Sequence, residues 1–115
     1  MTIPSPMKLQ WFHILLALQD GSLHGYGIQR AVLDRTDGKL RLWPATLYRL
    51  LGVLEDEEYI QEVDPPADEP PDQRRQYYRL TRSGRERLGH EASLLADWAR
   101  AAGVGAEGWE GGAES

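Results

Sequence analysis

One stretch decides the fold of this chain: Trp43-Pro44-Ala45-Thr46-Leu47-Tyr48-Arg49-Leu50-Leu51. Proline suits the first turn of a helix because its missing N–H group would have no partner there, so we expect a helix to begin at Pro44. Leucines at three- and four-residue spacing then form one apolar stripe: Leu47, Leu50, Leu51 and Leu54. The other face carries small, hydroxyl-bearing or cationic residues: Ala45, Thr46, Tyr48, Arg49 and Gly52. Such residues fit close to phosphates and base edges, which predicts a helix that enters a DNA groove.

Length and composition limit what the chain can be. With 115 residues it supports one small domain with a modest core, and a homodimer would bury more apolar surface. The absence of cysteine excludes disulfides, zinc fingers, iron–sulfur sites and thiol catalysis, and it is typical of the reducing cytoplasm. The apolar run 11–18, interrupted only by His13, is too short to span a membrane, and we find no basic leader before it. We expect a soluble, cytoplasmic protein with no membrane partner.

The net charge of −5 argues at first against a nucleic-acid partner, which usually requires a basic domain. The charge is unevenly distributed, however. Residues 25–49 carry five cations and two acids, and residues 73–90 carry six arginines and one glutamate. Residues 50–72 carry nine acids and no base. Because local potential governs contacts in salt solution, the sequence still allows a basic face on an acidic protein.

Local signals predict four helices and two strands. Ser5 before Pro6 is typical of an N-cap followed by a first helical residue, so we expect a first helix over 6–19. Further helices are expected over 25–35 and from Pro44 to about residue 58. Two runs rich in aromatic and β-branched residues predict strands over 59–63 and 76–81, joined by a proline-rich loop. Thr81 can cap a last helix to about residue 102, and the glycine-rich tail 103–115 is expected to be mobile.

The residue pattern also assigns faces to the last two elements. In the second strand Tyr78 and Leu80 share one face while Tyr77 and Arg79 share the other, so we expect one face to pack and the other to meet solvent or a ligand. In the last helix, apolar residues repeat every three or four positions: Leu88, Ala92, Leu95, Ala99 and Ala102. Such a seam is typical of a helix that packs against another helix.

The predicted order of helix, helix, helix, strand, wing and strand is that of a winged helix-turn-helix, a mainly α (α+β) fold. Four motifs occur in this order: His24-Gly25-Tyr26-Gly27-Ile28, Thr46-Leu47-Tyr48, Leu54-Glu55 with Ile60, and Tyr77-Tyr78-Arg79-Leu80-Thr81-Arg82-Ser83-Gly84. Together they resemble the PadR family of transcriptional regulators over residues 9–90. The resemblance implies a homodimeric repressor whose third helix lies in the major groove and whose first and last helices form the dimer interface. We therefore expect a DNA-binding domain over 1–81, a C-terminal dimerisation helix over 82–102 and a tail over 103–115.

The chain departs from the family pattern at three places. Trp43 stands where the family has a small residue, and it cannot act as a side-chain N-cap. Glu58 stands where the family usually has glycine, and losing a residue that tolerates left-handed geometry costs roughly 1 kcal/mol. The wing segment 64–72 holds four acids and four prolines, which DNA phosphates should repel. We therefore expect contact with the DNA backbone at the descending base of the wing, at Gln73, Arg74 and Arg75.

We expect a DNA interface built from the second helix, the connection that follows it, the third helix and the wing base. Its residues are Tyr26, Lys39, Arg41, Pro44, Ala45, Thr46, Tyr48, Arg49, Gln73, Arg74 and Arg75. Thr46, Tyr48 and Arg49 would set the register and part of the sequence preference, while the linker and wing cations would add salt-dependent affinity. Three alternatives stay open: Tyr48 as a core aromatic, Tyr26 as a packing residue, and the wing arginines as solubilising groups.

Aromatic and aliphatic residues of the first and last helices could line a cavity between two copies of the chain. The set is Trp11, Phe12, Leu88, Leu95, Trp98 and Ala99. A small, flat aromatic effector would fit such a place, or the rings simply fill the dimer core. Three scattered histidines without a clustered carboxylate predict no metal site. We find no catalytic motif, so we expect no cofactor and no enzyme activity.

These inferences combine into a ligand-responsive homodimeric repressor that binds double-stranded DNA at an inverted-repeat operator. The alternative is a winged-helix protein-interaction module that has lost DNA binding and uses its acidic wing and tail to bind a basic partner. The salt dependence of any DNA complex distinguishes the two hypotheses.

Overall fold

A computed structural model describes residues 3–69 and 75–104 of the chain. These residues form four helices and three strands, an α+β arrangement. In chain order the elements are α1 (Leu9–Ala17), β1 (Leu23–His24), α2 (Gly25–Arg35), α3 (Pro44–Asp56), β2 (Ile60–Val63), β3 (Tyr77–Leu80) and α4 (Arg82–Ala101). Residues 70–74, which include Gln73 and Arg74, and the predicted tail beyond residue 104 lie outside the described residues.

The first three helices enclose one apolar core. The predicted stripe of α3 is confirmed, because Leu47, Leu50, Leu51 and Leu54 are all buried. Facing side chains come from α1 and α2, and Leu42 in the connection before α3 is also fully buried. Burial of this stripe directs the opposite face of α3 outward, since residues on one side of a helix recur every three to four positions.

The sheet has three antiparallel strands in the order β1-β3-β2. Strands β2 and β3 lie where the sequence predicts them, within a residue at each end. The sequence reading missed β1, whose two residues are too few to show an alternating pattern. Tyr78 and Leu80 are buried, as expected for the packed face. Tyr77 is buried as well, so the prediction that its face meets solvent or a ligand is wrong for this residue. Its ring meets His24 edge-on at 5.2 Å, so the short strand β1 covers that face.

The first helix begins later than predicted, at Leu9 instead of residue 6. Ser5 therefore does not cap it. Its hydroxyl instead donates to Oε2 of Glu91 on α4 at 2.7 Å, and the backbone N–H of Met7 donates to Oε1 at 2.9 Å. The segment before α1 is thus held by α4, which a local N-cap rule could not anticipate.

Helix α4 begins as predicted, with the Thr81 hydroxyl accepting from the N–H of Gly84 at 2.9 Å. The sequence placed Leu88 at the seam between two copies. This prediction is wrong, because Leu88 is buried in the chain's own core. The distal half of α4 is exposed instead, with Leu95 and Trp98 at 36% and 50% of full accessibility.

Both ends of α3 show the consequences of its unusual residues. Trp43 stands at the N-cap position in extended geometry and supplies no capping side-chain hydrogen bond, as expected. Glu58 adopts a positive φ of 63°, the left-handed geometry that glycine tolerates best. The helix ends at Asp56, slightly earlier than predicted. No helix within the described ranges is long and apolar enough to cross a bilayer.

Candidate nucleic-acid interface

The outward face of α3 presents the residues that the sequence assigned to DNA. Tyr48 is 51% exposed, Arg49 is exposed, and Thr46 is half-buried. Pro44 and Ala45 are exposed at the first turn. The reading of Tyr48 as a core aromatic is therefore wrong, and this face is free to meet a ligand.

The connection into α3 places a cation on an aromatic ring. The guanidinium carbon of Arg41 lies 5.1 Å from the centroid of the Trp43 ring, and Trp43 is 63% exposed. The side-chain amide of Gln29 on α2 donates to the carbonyl of Leu42 at 2.6 Å, which fixes this connection. The sequence analysis gives Trp43 only as a departure from the family pattern. An arginine two residues before a tryptophan is the sequence signal for such a cation–π pair.

Helix α2 begins with a histidine cap. Nδ1 of His24 accepts a hydrogen bond from the N–H of Gly27 at 3.0 Å. Tyr26 is 60% exposed and its ring stacks on His24 at a centroid distance of 6.3 Å. The Tyr26 hydroxyl accepts from Arg30 at 3.3 Å. Tyr26 is thus a surface residue held at the start of α2, close to the exposed face of α3.

A cavity of about 580 Å³ lies where α2, α3 and the start of β3 meet. It is lined by His24, Gly25, Tyr26, Tyr48, Arg75 and Gln76. It therefore brings together three residues that the sequence assigned to DNA from three separate elements: Tyr26, Tyr48 and Arg75. Lys39 and Arg41 are exposed but do not line it.

Arg75 is held at the base of the wing. Its Nη1 lies 2.9 Å from Nε2 of His24, and its Nε lies 3.8 Å from Oε2 of Glu69. Oε1 of Glu69 accepts from the Tyr77 hydroxyl at 2.8 Å. Burial first, and then Arg75, lower the pKa of His24, while Glu69 partly opposes them. The imidazole is therefore neutral near pH 7, as its capping role requires. Gln73 and Arg74 cannot be placed, because they lie outside the described residues.

Acidic groups gather at a different site. A second cavity, of about 510 Å³, lies between the end of α3, β2 and the start of α4, and Glu55, Glu58 and Glu62 are among its lining residues. Burial first, and then Glu62 and Asp56, raise the pKa of Glu55. These three carboxylates thus line a cavity separate from the one that Arg75 lines.

Comparison with known proteins supplies the family. The transcriptional regulator PadR-like family matches residues 14–90, which is most of the described chain. The chain belongs to the PadR-like family of transcriptional regulators. The family resemblance and the winged-helix fold read from the sequence are confirmed. PadR-like proteins are regulators, so the chain is not placed among enzymes.

Solved structures of PadR-like and other regulators share the fold. A transcriptional regulator from Clostridium thermocellum is 25% identical, with a TM-score of 0.67 over 79% of this chain and 86% of that one. Bacillus subtilis PadR, solved in complex with operator DNA, is 26% identical, with a TM-score of 0.63 over 74% of this chain and 47% of that one. An uncharacterized 37.1 kDa protein in a Streptomyces fradiae transposon is 40% identical over 83 residues, and this chain covers 22% of its length.

The residues assigned to a dimer cavity separate into three groups in this PadR-like chain. Trp11, Phe12 and Ala99 are half-buried, and the first two pack against the core. Leu95 and Trp98 remain exposed on α4, whereas Leu88 is in the core. The indole N–H of Trp11 is buried and has no partner within the described residues. Within the same residues no group of three histidine or acidic side chains could hold a metal ion.

Proposed function

We propose that this PadR-like chain is a sequence-specific, homodimeric DNA-binding repressor that recognises an inverted-repeat operator in the cytoplasm. Helix α3 enters the major groove with Thr46, Tyr48 and Arg49, and Ala45 and Pro44 allow close approach. Lys39, Arg41 and the wing-base residues Gln73, Arg74 and Arg75 contact the backbone. One observation carries the proposal: the face of α3 opposite its buried leucines is exposed and lies beside the cavity that holds Arg75.

The family and the operator complex of Bacillus subtilis PadR support DNA as the partner. A dimer is supported by apolar side chains left uncovered on α1 and the distal half of α4, where Leu9 is 59% and Trp98 is 50% exposed. A two-fold axis would then place two α3 helices about one helical turn, roughly 34 Å, apart. A flat aromatic effector between Trp98, Trp11 and Phe12 of both copies would act by favouring a dimer geometry that no longer fits this spacing.

The decisive experiment titrates the protein with labelled genomic fragments at several salt concentrations. We expect a specific complex whose log affinity falls linearly with log salt, because cationic contacts to phosphates release counterions. The Tyr48→Phe/Arg49→Ala double variant should abolish this complex and leave the oligomeric state unchanged. Arg82→Ala is the matched control, since Arg82 is exposed but lines the acidic cavity. Absence of any salt-dependent complex would overturn the proposal.

Dimerisation and the sign of regulation have their own tests. Leu95→Lys/Trp98→Glu should produce a monomer in sedimentation and weaken operator binding, because the two half-sites could no longer be engaged together. Transcription in vitro from a promoter that overlaps the operator should fall as protein is added. A wild-type monomer, or a rise in transcription, would contradict these parts of the proposal.

A second candidate is the protein-interaction module. The acidic cavity lined by Glu55, Glu58 and Glu62 favours it, because a basic peptide would complement these carboxylates. The DNA titration, repeated with a lysine-rich peptide, separates the candidates: a specific DNA complex supports the regulator, and salt-sensitive binding of the peptide without DNA binding supports the module.

A further inference from the structure

The two hydrogen-bond contacts of His24 conflict with each other among the described residues. Nδ1 accepts from the N–H of Gly27 and so carries no proton. A neutral imidazole then has its proton on Nε2, which makes Nε2 a donor. Nη1 of Arg75 lies 2.9 Å from Nε2, and a guanidinium group has donors only. Two donors therefore face each other, and an acceptor within reach of both would resolve the conflict.

Neither of the other protonation states of His24 solves this problem. In the opposite tautomer Nε2 accepts from Arg75, but an Nδ1–H group would face the Gly27 N–H and the cap of α2 would be lost. In the charged imidazole both nitrogens are donors and both contacts fail. Burial and Arg75 also lower the pKa of His24, which disfavours that state. An acceptor that both Nε2–H and Arg75 can reach would remove this conflict. Among the described residues the acceptor beside Arg75 is the Glu69 carboxylate, whose Oε2 lies 3.8 Å from Nε and has no hydrogen-bond partner.

The surroundings of these two donors fit an anion. The cavity of about 580 Å³ next to them is also lined by Tyr26 and Tyr48, whose hydroxyls can donate. The positive end of the α2 dipole adds to the potential. Gly25 keeps the cavity floor open, because a β-carbon there would lie 2.4 Å from the Tyr48 hydroxyl oxygen. One group opposes an anion: the Glu69 carboxylate, 3.8 Å from Arg75.

We infer that this cavity holds one backbone phosphate of the operator, with its oxygen accepting from His24 Nε2–H and from the Arg75 guanidinium. The inference rests on the proposed function and adds to it a specific phosphate contact outside the groove-reading face of α3. Glu69 weakens this phosphate contact, because it pairs with Arg75 in the free protein. Glu69→Gln should therefore tighten operator binding.

Two histidine variants separate this contact from the helix cap. In His24→Asn, the side-chain oxygen takes the place of Nδ1 and asparagine is a good N-cap, so α2 keeps its start while the Nε2–H donor is lost. In His24→Gln, the amide nitrogen can take the place of Nε2, so the donor is kept while the cap is lost. We expect His24→Asn to lose affinity for the operator with little change in Tm. His24→Gln should show the reverse.

The test is a methylphosphonate scan of the operator, in which each linkage in turn is made neutral. For the wild type, one linkage in each half-site should weaken binding by about tenfold, the effect of one charge-assisted hydrogen bond. At that linkage alone, Arg75→Gln and His24→Asn should show no further loss, because the contact is already absent. If both variants lose as much as the wild type at every linkage, the phosphate contact is refuted while operator binding stands. If the wild type binds no DNA, the proposed function fails as well.

A second measurement checks the premise and the source of the phosphate. The nitrogen-15 spectrum of the His24 imidazole should show the Nε2–H tautomer in the free protein. Inorganic phosphate at millimolar concentration should move the signal only weakly. A His24 signal of the Nδ1–H tautomer would overturn the inference. Saturation by micromolar inorganic phosphate would overturn the assignment to DNA and indicate a free phosphate ligand instead.

Discussion

The ring of Tyr48 lies against the backbone of Gly25 so closely that no side chain fits between them. A β-carbon on Gly25 would lie 2.4 Å from the Tyr48 hydroxyl oxygen and 2.9 Å from Cζ. Gly25 begins α2, whereas Tyr48 stands on the exposed face of α3. The glycine of the sequence motif therefore determines where an exposed residue of the candidate interface can lie.

The first prediction concerns Gly25→Ala. The clash involves the far end of a half-exposed side chain, so we expect Tyr48 to swing outward and the free energy of unfolding to change by less than about 1 kcal/mol. Operator affinity should fall at least severalfold, because Tyr48 leaves its place. Thermal unfolding and DNA titration together measure both effects. Gly89→Ala on α4 is the control, since a β-carbon there meets nothing within 4 Å among the described residues and Gly89 lies away from the outward face of α3. A large loss of stability with unchanged DNA affinity would contradict this account.

The second prediction concerns Gly84→Ala at the start of α4. A β-carbon on Gly84 would lie 1.9 Å from the carbonyl oxygen of Tyr59, and a backbone atom cannot rotate away. Helix α4 must therefore shift, and we expect a loss of about 2–3 kcal/mol in the free energy of unfolding. Gly89→Ala on the same helix meets nothing within 4 Å among the described residues and should be neutral or gain about 1 kcal/mol. Urea unfolding of both variants measures the two changes in the free energy of unfolding. Equal effects of the two substitutions would show that this contact is not needed.

The third prediction concerns the buried carboxylate of Glu91. It accepts from Ser5, from the Met7 N–H and from Arg87, whose Nε lies 3.0 Å away. Burial raises the pKa of Glu91, but these hydrogen bonds and the Arg87 charge outweigh it, so the pKa is lowered overall. The ionised group therefore stabilises the fold above its unfolded pKa of about 4.3, and this contribution is lost as the pH falls through the folded-state pKa.

Glu91→Gln should accordingly lower the free energy of unfolding by about 1.5–3 kcal/mol at pH 7, the range for hydrogen bonds to charged groups. The difference from the wild type should shrink as the pH falls below about 4.3, because the unfolded carboxyl group then takes up a proton that the folded one takes up only at its lower pKa. Chemical unfolding at pH 7, 5 and 3.5 measures it. Glu86→Gln is the control, since the Arg82–Glu86 pair is largely exposed and should matter by less than about 0.5 kcal/mol. A difference that stays constant with pH would contradict the role of the charge.

Elements with local signals could be predicted from the sequence, and elements that depend on distant partners could not. The stripe of α3 and the Thr81 cap of α4 are set by residues within a few positions of each other. By contrast, β1 exists because His24 pairs with Tyr77, and Ser5 bonds to Glu91 at a separation of 86 residues. No periodicity or capping rule reports such pairings, which is why the start of α1 was misplaced.

The same distinction applies to the candidate site. Exposure of Tyr48 and Arg49 follows from the period of α3, so the sequence predicts it correctly. The contact of His24 with Arg75 joins residues 51 positions apart and could not be read from spacing. Leu88 was misassigned for a related reason, because a seam of apolar residues does not reveal which part of it faces the chain's own core.

The last prediction concerns Glu58, which ends the α3 segment in left-handed geometry at a φ of 63°. Two backbone bonds close this helix end, from the N–H of Glu58 to Glu55 and from the N–H of Tyr59 to Leu54. Glycine adopts this geometry without strain, although it also loses more conformational entropy on folding, so Glu58→Gly should gain about 0.5–1 kcal/mol. Glu58→Gln removes the same charge but keeps the strain, so the difference between the two variants isolates the backbone effect. Urea midpoints at high salt, where repulsion from the other carboxylates is screened, should keep that difference. If Glu58→Gln is as stable as Glu58→Gly, charge relief accounts for the gain and the left-handed geometry costs nothing measurable.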